Sequence, residues 1–285
     1  MRLTKIISPF LTLCCLSCVN SFGQKITDRQ ILSEADFIKY FTQYEVDGSM
    51  ILYDRSKNRE YIYGEQRIAK PYSPASTFKI FNSLAGLESG VIPDTSYVIP
   101  WDSVQRGKYT PWHRPNSMKS AFRYSVVWYY QELARRVGEK QMKKYLSKNN
   151  YGNKDTGNKI DEFWLADKGG KLRITMQEQI TFLQKLYDED LDFSKRSQQL
   201  VKGIMLDEQE PHEYRLYGKT GAANYDGMSY GWYVGWIELS GNIYFFATFI
   251  ESPDPKKILT GGRKGITLAI FEELKNKGFA SSNEY

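Results

Sequence analysis

Hydrophobic and polar positions change their period twice along this chain, and the changes divide it into three stretches. Near the start, residues 28–44 read as a short helix. Residues 48–54 and 60–64 then read as strands joined by the turn residues Arg55, Ser56, Lys57 and Asn58, which predicts a hairpin. From Ser76 to Gly90 the apolar residues Ile80, Leu84 and Leu87 recur at helical spacing, with Gly90 as a natural stop and Ser76 on the first turn. Val126, Tyr130, Leu133 and Val137 mark a second helix ending at Gly138. Thr175 and Glu178 form a capping box that opens a third helix through Ile180, Leu183 and Tyr187. After Arg215 the pattern becomes that of strands, over residues 215–221, 231–239 and 243–249, the last two joined by Ser240, Gly241 and Asn242. A final helix over residues 264–277, stopped by Gly278, would cover one face of this antiparallel meander.

Strands at both ends with helices between them predict an α/β fold of the α+β kind: one sheet built from both termini, with a helical lobe inserted. No repeat or Pro/Gly/Ser linker interrupts the chain beyond its first residues. The expected organisation is a single domain over residues 24–285, with a sheet lobe at about 24–68 and 205–285 and a helical lobe at about 69–204. The 285 residues, 41% hydrophobic and 15% aromatic, are ample for a buried core.

The first residues change the picture. Arg2 and Lys5 precede an apolar run from Ile6 to Leu16, and the small residues Ser21 and Gly23 follow, which is the pattern of a secretory signal over residues 1–23 with cleavage after Gly23. The run is too short for an ordinary membrane span, and no later segment reaches the roughly 20 apolar residues that one needs. The expected mature protein is therefore exported, without a membrane span. All three cysteines (Cys14, Cys15, Cys18) fall inside the leader, so a chain starting at Gln24 has neither disulfides nor a Cys nucleophile. A lipoprotein anchor at Cys18 is the alternative, with Leu16 one position too close to it for a good lipobox.

Without the leader, 37 basic residues face 33 acidic ones with no long basic run, which argues against nucleic acid as a partner. His113 and His212 stand far apart, with no Cys or Glu at ligand spacing. Neither a metal site nor a Ser/His/Asp triad has its material.

Candidate chemistry starts at Ser76-Thr77-Phe78-Lys79. On a helix, the S-x-x-K spacing puts hydroxyl and amine on one face. A lysine with a pKa near ~10.4 is a poor base at neutral pH, so this one must be desolvated or chemically modified. About one S-x-x-K arises by chance in a chain of this length, so the motif alone is weak. Lys219-Thr220-Gly221 interrupts a predicted strand with a cation and a glycine, and Gly221 would let a substrate approach the backbone. Ser125, ahead of Val126 and Val127, reads by itself as a helix cap.

Taken in order, S-x-x-K, S-x-V at 125–127, Y-G-N at 151–153 and K-T-G resemble the class D, or oxacillinase-type, serine β-lactamases. The resemblance runs from about Phe37 to Gly278 and includes P-A-S-T-F-K-I at 74–80, F-W-L at 163–165, G-W-Y-V-G-W at 231–236 and Arg263. It implies hydrolysis of β-lactam antibiotics in the periplasm, and hence resistance, with no bound cofactor or metal. Ser76 would be the nucleophile. Lys79 would take up carbon dioxide, supplied as bicarbonate, to become a carbamate (N6-carboxylysine) that acts as general base, answering the pKa problem above. Trp164 would hydrogen bond to that carbamate and Val127 would help form its apolar surround. Ser125 would pass a proton to the departing ring nitrogen with electrostatic support from Lys219. Thr220 and Arg263 would hold the substrate carboxylate, beside Gly221, and the backbone N–H groups of Ser76 and Ala222 would form the oxyanion hole.

Several of these residues have plainer readings. Tyr151 and Asn153 could shape a loop, Trp232 and Trp236 could belong to the core, and Arg263 could be a surface charge at a helix end. The run from His113 to Ser117 departs from the aspartate-containing stretch expected of the family, which bears on the substrate rim. Two other functions fit the same motifs. One is a β-lactam sensor that acylates without deacylating; the other is a cell-wall D,D-peptidase or transpeptidase.

Overall fold

The structure is a computed structural model that describes residues 28–207 and 213–278. The leader, with its three cysteines, and His212 lie outside the described residues. In chain order, β1 (Asp28–Ile31) and α1 (Glu34–Thr42) precede the hairpin β2 (Asp47–Asp54) and β3 (Arg59–Tyr63). The middle holds α2 (Lys79–Glu88), the two-residue strands β4 (Val98–Ile99) and β5 (Asn116–Ser117), α3 (Met118–Arg123), α4 (Val127–Val137), α5 (Glu139–Lys148), α6 (Met176–Tyr187) and α7 (Lys195–Met205). The meander β6 (Arg215–Tyr225), β7 (Met228–Leu239) and β8 (Asn242–Ser252) leads to α8 (Pro255–Leu259) and α9 (Gly262–Asn276).

Six strands form one sheet in the order β1-β3-β2-β8-β7-β6. Its seam is the antiparallel pairing of β2 with β8, where Met50 faces Thr248, so the two chain ends meet at the centre of the sheet as expected. Residues along β8 alternate strictly between two cores. Phe245, Ala247 and Phe249 pack with the helical lobe, whereas Tyr244, Phe246 and Ile250 pack with Phe37 and Phe41 of α1 and Ile266, Ile270 and Phe271 of α9. Both faces are covered, which is why β8 reads as a nearly continuous apolar run. The final helix covers one face, as predicted, and shares it with α1.

Two expectations need correction. Residues 28–31 are not helical: they form β1, an edge strand parallel to β3, held by ion pairs from Arg59 to Asp28 and from Arg29 to Glu60. The helix starts after Ser33, where Glu34 and Asp36 favour the positive end of its dipole. The β6–β7 hairpin is also longer than predicted, because the ladder continues beyond Gly221 to a two-residue turn at Asp226-Gly227, both with positive φ (52° and 73°). That D-G pair is a hairpin signal available in the sequence. The other elements form where the periodicity puts them, including the Thr175/Glu178 capping box and the stop at Gly138.

Candidate active site

Ser76 sits on a 3₁₀ turn (Ala75–Phe78) that runs directly into α2. Ala75, immediately before it, has φ of 48°, a left-handed conformation costing a non-glycine residue about 1–2 kcal/mol. Several bonds hold the strained turn. The Thr77 N–H and hydroxyl both donate to Pro74 O (3.0 and 2.7 Å), and Gln179 of α6 donates to Thr77 Oγ1.

Lys79, the first residue of α2, is completely buried, and its Nζ donates to Ser76 Oγ at 2.6 Å. Burial holds its pKa well below the ordinary lysine value, and the charge of Lys219 lowers it further. A neutral amine at this distance can accept the hydroxyl proton instead. Its ammonium position lies 5.4 Å from the centre of the Tyr130 ring. Trp164 is stacked on Phe78, the residue before Lys79 (5.2 Å, 30°), and its indole N–H is buried without a partner. A buried donor left unpaired costs about 1–3 kcal/mol, so this site calls for an acceptor.

β6 brings the second half. Lys219 is buried, donates to Thr220 O at 2.9 Å and lies over the Phe122 ring at 5.6 Å. Its pKa falls to about 7, mainly through burial and then through the charge of Arg263. Arg263 donates to Gly221 O at 2.7 Å, and burial lowers its own pKa to about 10. It is therefore not a surface charge. No carboxylate is among the causes that shift Lys79, Lys219 or Arg263, and the positive charge that Arg263 keeps, with that of Lys219 when protonated, favours an anionic guest.

Gly221 also serves the packing of the site. A Cβ there would stand 3.1 Å from Pro74 O and 3.2 Å from Thr77 N, so the glycine lets β6 pack against the Ser76 turn. Ser125 is not a helix cap: Val126 occupies that position, and Ser125 has φ of 53°, with its N–H bonded to Phe122 O. Phe122 thus links it to Lys219.

A cavity of about 560 Å³ opens over the nucleophile, lined by Ser76, Val127, Leu165 and Ala222 with Trp112 and Leu259 at its rim. Lys219 and Thr220 line a neighbouring cavity of about 230 Å³ instead, together with Lys119, Arg123 and Lys264. Tyr151 packs among Phe78, Phe81 and Phe182, Asn153 ties its loop to Lys171 and Arg173, and Trp232 and Trp236 are core residues, so the plainer readings hold for these four. The unusual His113 segment is anchored: His113 stacks on Trp101 and accepts from the Arg106 N–H, and Trp128 donates to Trp112 O. Sequence reasoning missed Ser73, Tyr130, Arg106 and Leu259, which carry no motif of their own.

Over residues 48–274 the sequence matches the penicillin binding protein transpeptidase domain family. β-Lactamase OXA-48 of Klebsiella pneumoniae is 39% identical over 83% of this chain and 86% of its own length. The crystal structure of a class D β-lactamase, YbXI, from Nostoc is 40% identical, superposes with a TM-score of 0.78, and is matched over 83% of this chain and 97% of that one. The chain belongs to the class D β-lactamase family. The class D fold also extends to receptors: the C-terminal domain of the Bacillus licheniformis BlaR penicillin receptor is 29% identical, with a TM-score of 0.79 over 87% of this chain and 96% of that domain.

Proposed function

We propose that this class D protein hydrolyses β-lactams through an acyl-enzyme on Ser76, and that Lys79 works as a carbamate. One observation carries the reading: a fully buried lysine with a depressed pKa lies 2.6 Å from Ser76 Oγ, and the Trp164 ring, whose buried N–H has no partner, stacks on Phe78, the residue before that lysine. The neutral amine is the form that adds carbon dioxide, and the Trp164 N–H supplies the donor an anionic product needs. When formed, the carbamate supplies the general base for acylation and deacylation. Val127 contributes apolar wall. Ser76 Oγ attacks the lactam carbonyl carbon, with the Ser76 and Ala222 N–H groups, both residues lining the same cavity, receiving the developing oxyanion. As the carbon–nitrogen bond breaks, Ser125 delivers a proton to the ring nitrogen, and Lys219 favours its release. Arg263 and Thr220, beside Gly221, hold the substrate carboxylate. Water then attacks the ester and frees Ser76.

The exported state, the leader over 1–23 and the single domain over 24–285 belong to this proposal; among the described residues no helix is long and apolar enough to cross a membrane. The BlaR likeness favours a second reading, a sensor that stops at the acyl-enzyme, and the transpeptidase-domain match keeps the D,D-peptidase reading in view. Steady-state hydrolysis of a penicillin by protein lacking residues 1–23 tests the proposal. Multiple turnovers are expected. A stoichiometric, stable acyl-enzyme would support the sensor instead.

A further inference from the structure

Ser73 lies at a junction that no motif marks. It is 2% exposed and sits three residues before the nucleophile. Its hydroxyl donates to Trp164 O at 2.7 Å, and the same oxygen is 3.4 Å from the Ala75 N–H, the residue with left-handed φ. Its carbonyl accepts from the Trp232 indole of β7 at 3.0 Å. One residue along, Tyr72 and Ile174 exchange both backbone hydrogen bonds (3.0 and 2.8 Å). Residues 72–75 therefore stitch three elements together: the sheet through Trp232, the strained turn that aims Ser76, and the loop that carries Trp164.

Of these bonds, only the one from Ser73 Oγ grips the Trp164 backbone from the nucleophile side. The Trp164 ring has no polar anchor of its own, since its N–H is unpartnered, so its orientation rests on ring contacts with Phe78 and Phe163 and on where its backbone is held. A side chain whose donor must meet a charged acceptor loses strength steeply with misalignment.

We propose that Ser73 is a positioning residue for Lys79 carbamylation: by fixing the Trp164 backbone to the Ser76 turn, its hydroxyl keeps the indole N–H aimed where the carbamate forms. This rests on the carbamate reading above and goes beyond it by assigning a role to a residue outside the reacting set. Ser73 touches neither substrate nor reacting atoms. Its removal should weaken the hold on carbon dioxide and so, at limiting bicarbonate, slow both steps that the carbamate serves.

The test is a titration with carbon-13 bicarbonate, followed by the carbamate signal in NMR and, in parallel, by penicillin turnover, on the wild-type protein and on Ser73→Ala and Ser73→Cys. The cysteine variant keeps the volume and replaces the hydroxyl by a weak donor. It keeps the test open should the alanine variant not fold. The bicarbonate concentration giving half the NMR signal should rise about three- to tenfold, the worth of one buried hydrogen bond. Turnover should recover at saturating bicarbonate. A purely structural role would lower the melting temperature without moving that midpoint, so an unchanged midpoint in a folded variant overturns the proposal. Absence of any carbamate signal from active wild-type protein overturns the Lys79 reading itself, and is recognisable before any variant is compared.

Discussion

Gly231→Ala offers a test of how Arg263 is held. Gly231 lies in β7 between Ala222 of β6 and Ile250 of β8, so its backbone is bonded on both sides and cannot retreat. A Cβ at this position would stand 2.5 Å from Arg263 Cδ, 3.0 Å from Arg263 Cγ and 2.9 Å from Ile258 Cγ2. The arginine side chain must move, and its bond to Gly221 O is lost. Overpacking of this kind costs about 1–3 kcal/mol of stability. A hydrogen bond to a charged group is worth about 1.5–3 kcal/mol, so if the displaced guanidinium no longer meets the substrate carboxylate, kcat/KM for a penicillin falls about 10- to 150-fold. Most of the loss should appear in KM, because the carboxylate is held alike in ground and transition states. The assay is steady-state penicillin hydrolysis by wild type, Gly231→Ala, Arg263→Ala and the double variant. If the glycine acts through the arginine, adding Gly231→Ala to Arg263→Ala changes little. Equal losses in both backgrounds, or an unaltered kcat/KM in the single variant, would refute the reasoning.

Three further outcomes are expected. Ser76→Ala should lose all covalent labelling by a penicillin in intact-protein mass spectrometry, whereas Lys79→Ala should acylate slowly and retain the acyl group, because its base serves both steps. Activity should fall on the acid side as the depressed pKa of Lys79 is crossed and the amine takes up a proton; added bicarbonate should restore it, less readily in Trp164→Ala, and a rate indifferent to bicarbonate across the acid range would leave Lys79 working as a free amine. N-terminal sequencing of the exported protein should begin at Gln24, and a lipid-modified Cys18 would establish the anchor instead.

Much of the fold was legible because the helices of the inserted lobe are amphipathic and end in recognisable stops such as Gly90 and Gly138. β1 was not, since its four residues are all exposed and its partner is more than one element away, so no alternation marks it. Ser76, Lys79 and Lys219 stood out because a cation or nucleophile in an apolar pattern needs a reason. The packing role of Gly221 was not legible: what fills the space above a glycine is a tertiary fact, here the Pro74–Thr77 turn. Ser73 could not be found from sequence, because Trp164 and Trp232, which it meets across the fold, are remote in the chain. The same holds for the rim, where Arg106, Trp112 and Leu259 converge from separate segments.

The seam between β2 and β8 also governs when the protein can fold. As the chain is made, the β2–β3 hairpin emerges early with Met50 to Tyr53 unpaired on one edge, and its central neighbour β8 arrives only after the whole helical lobe and β6–β7 have been synthesised. Non-local pairing of this kind is slow, and α1 likewise waits for α9, the last helix. An N-terminal fragment therefore lacks the strand and helix that its sheet and α1 pack against in the complete fold. Were the leader read in residues 1–23 to direct export, such late closure would suit passage of the unfolded chain, with the Ser76 site assembling only once both ends have met.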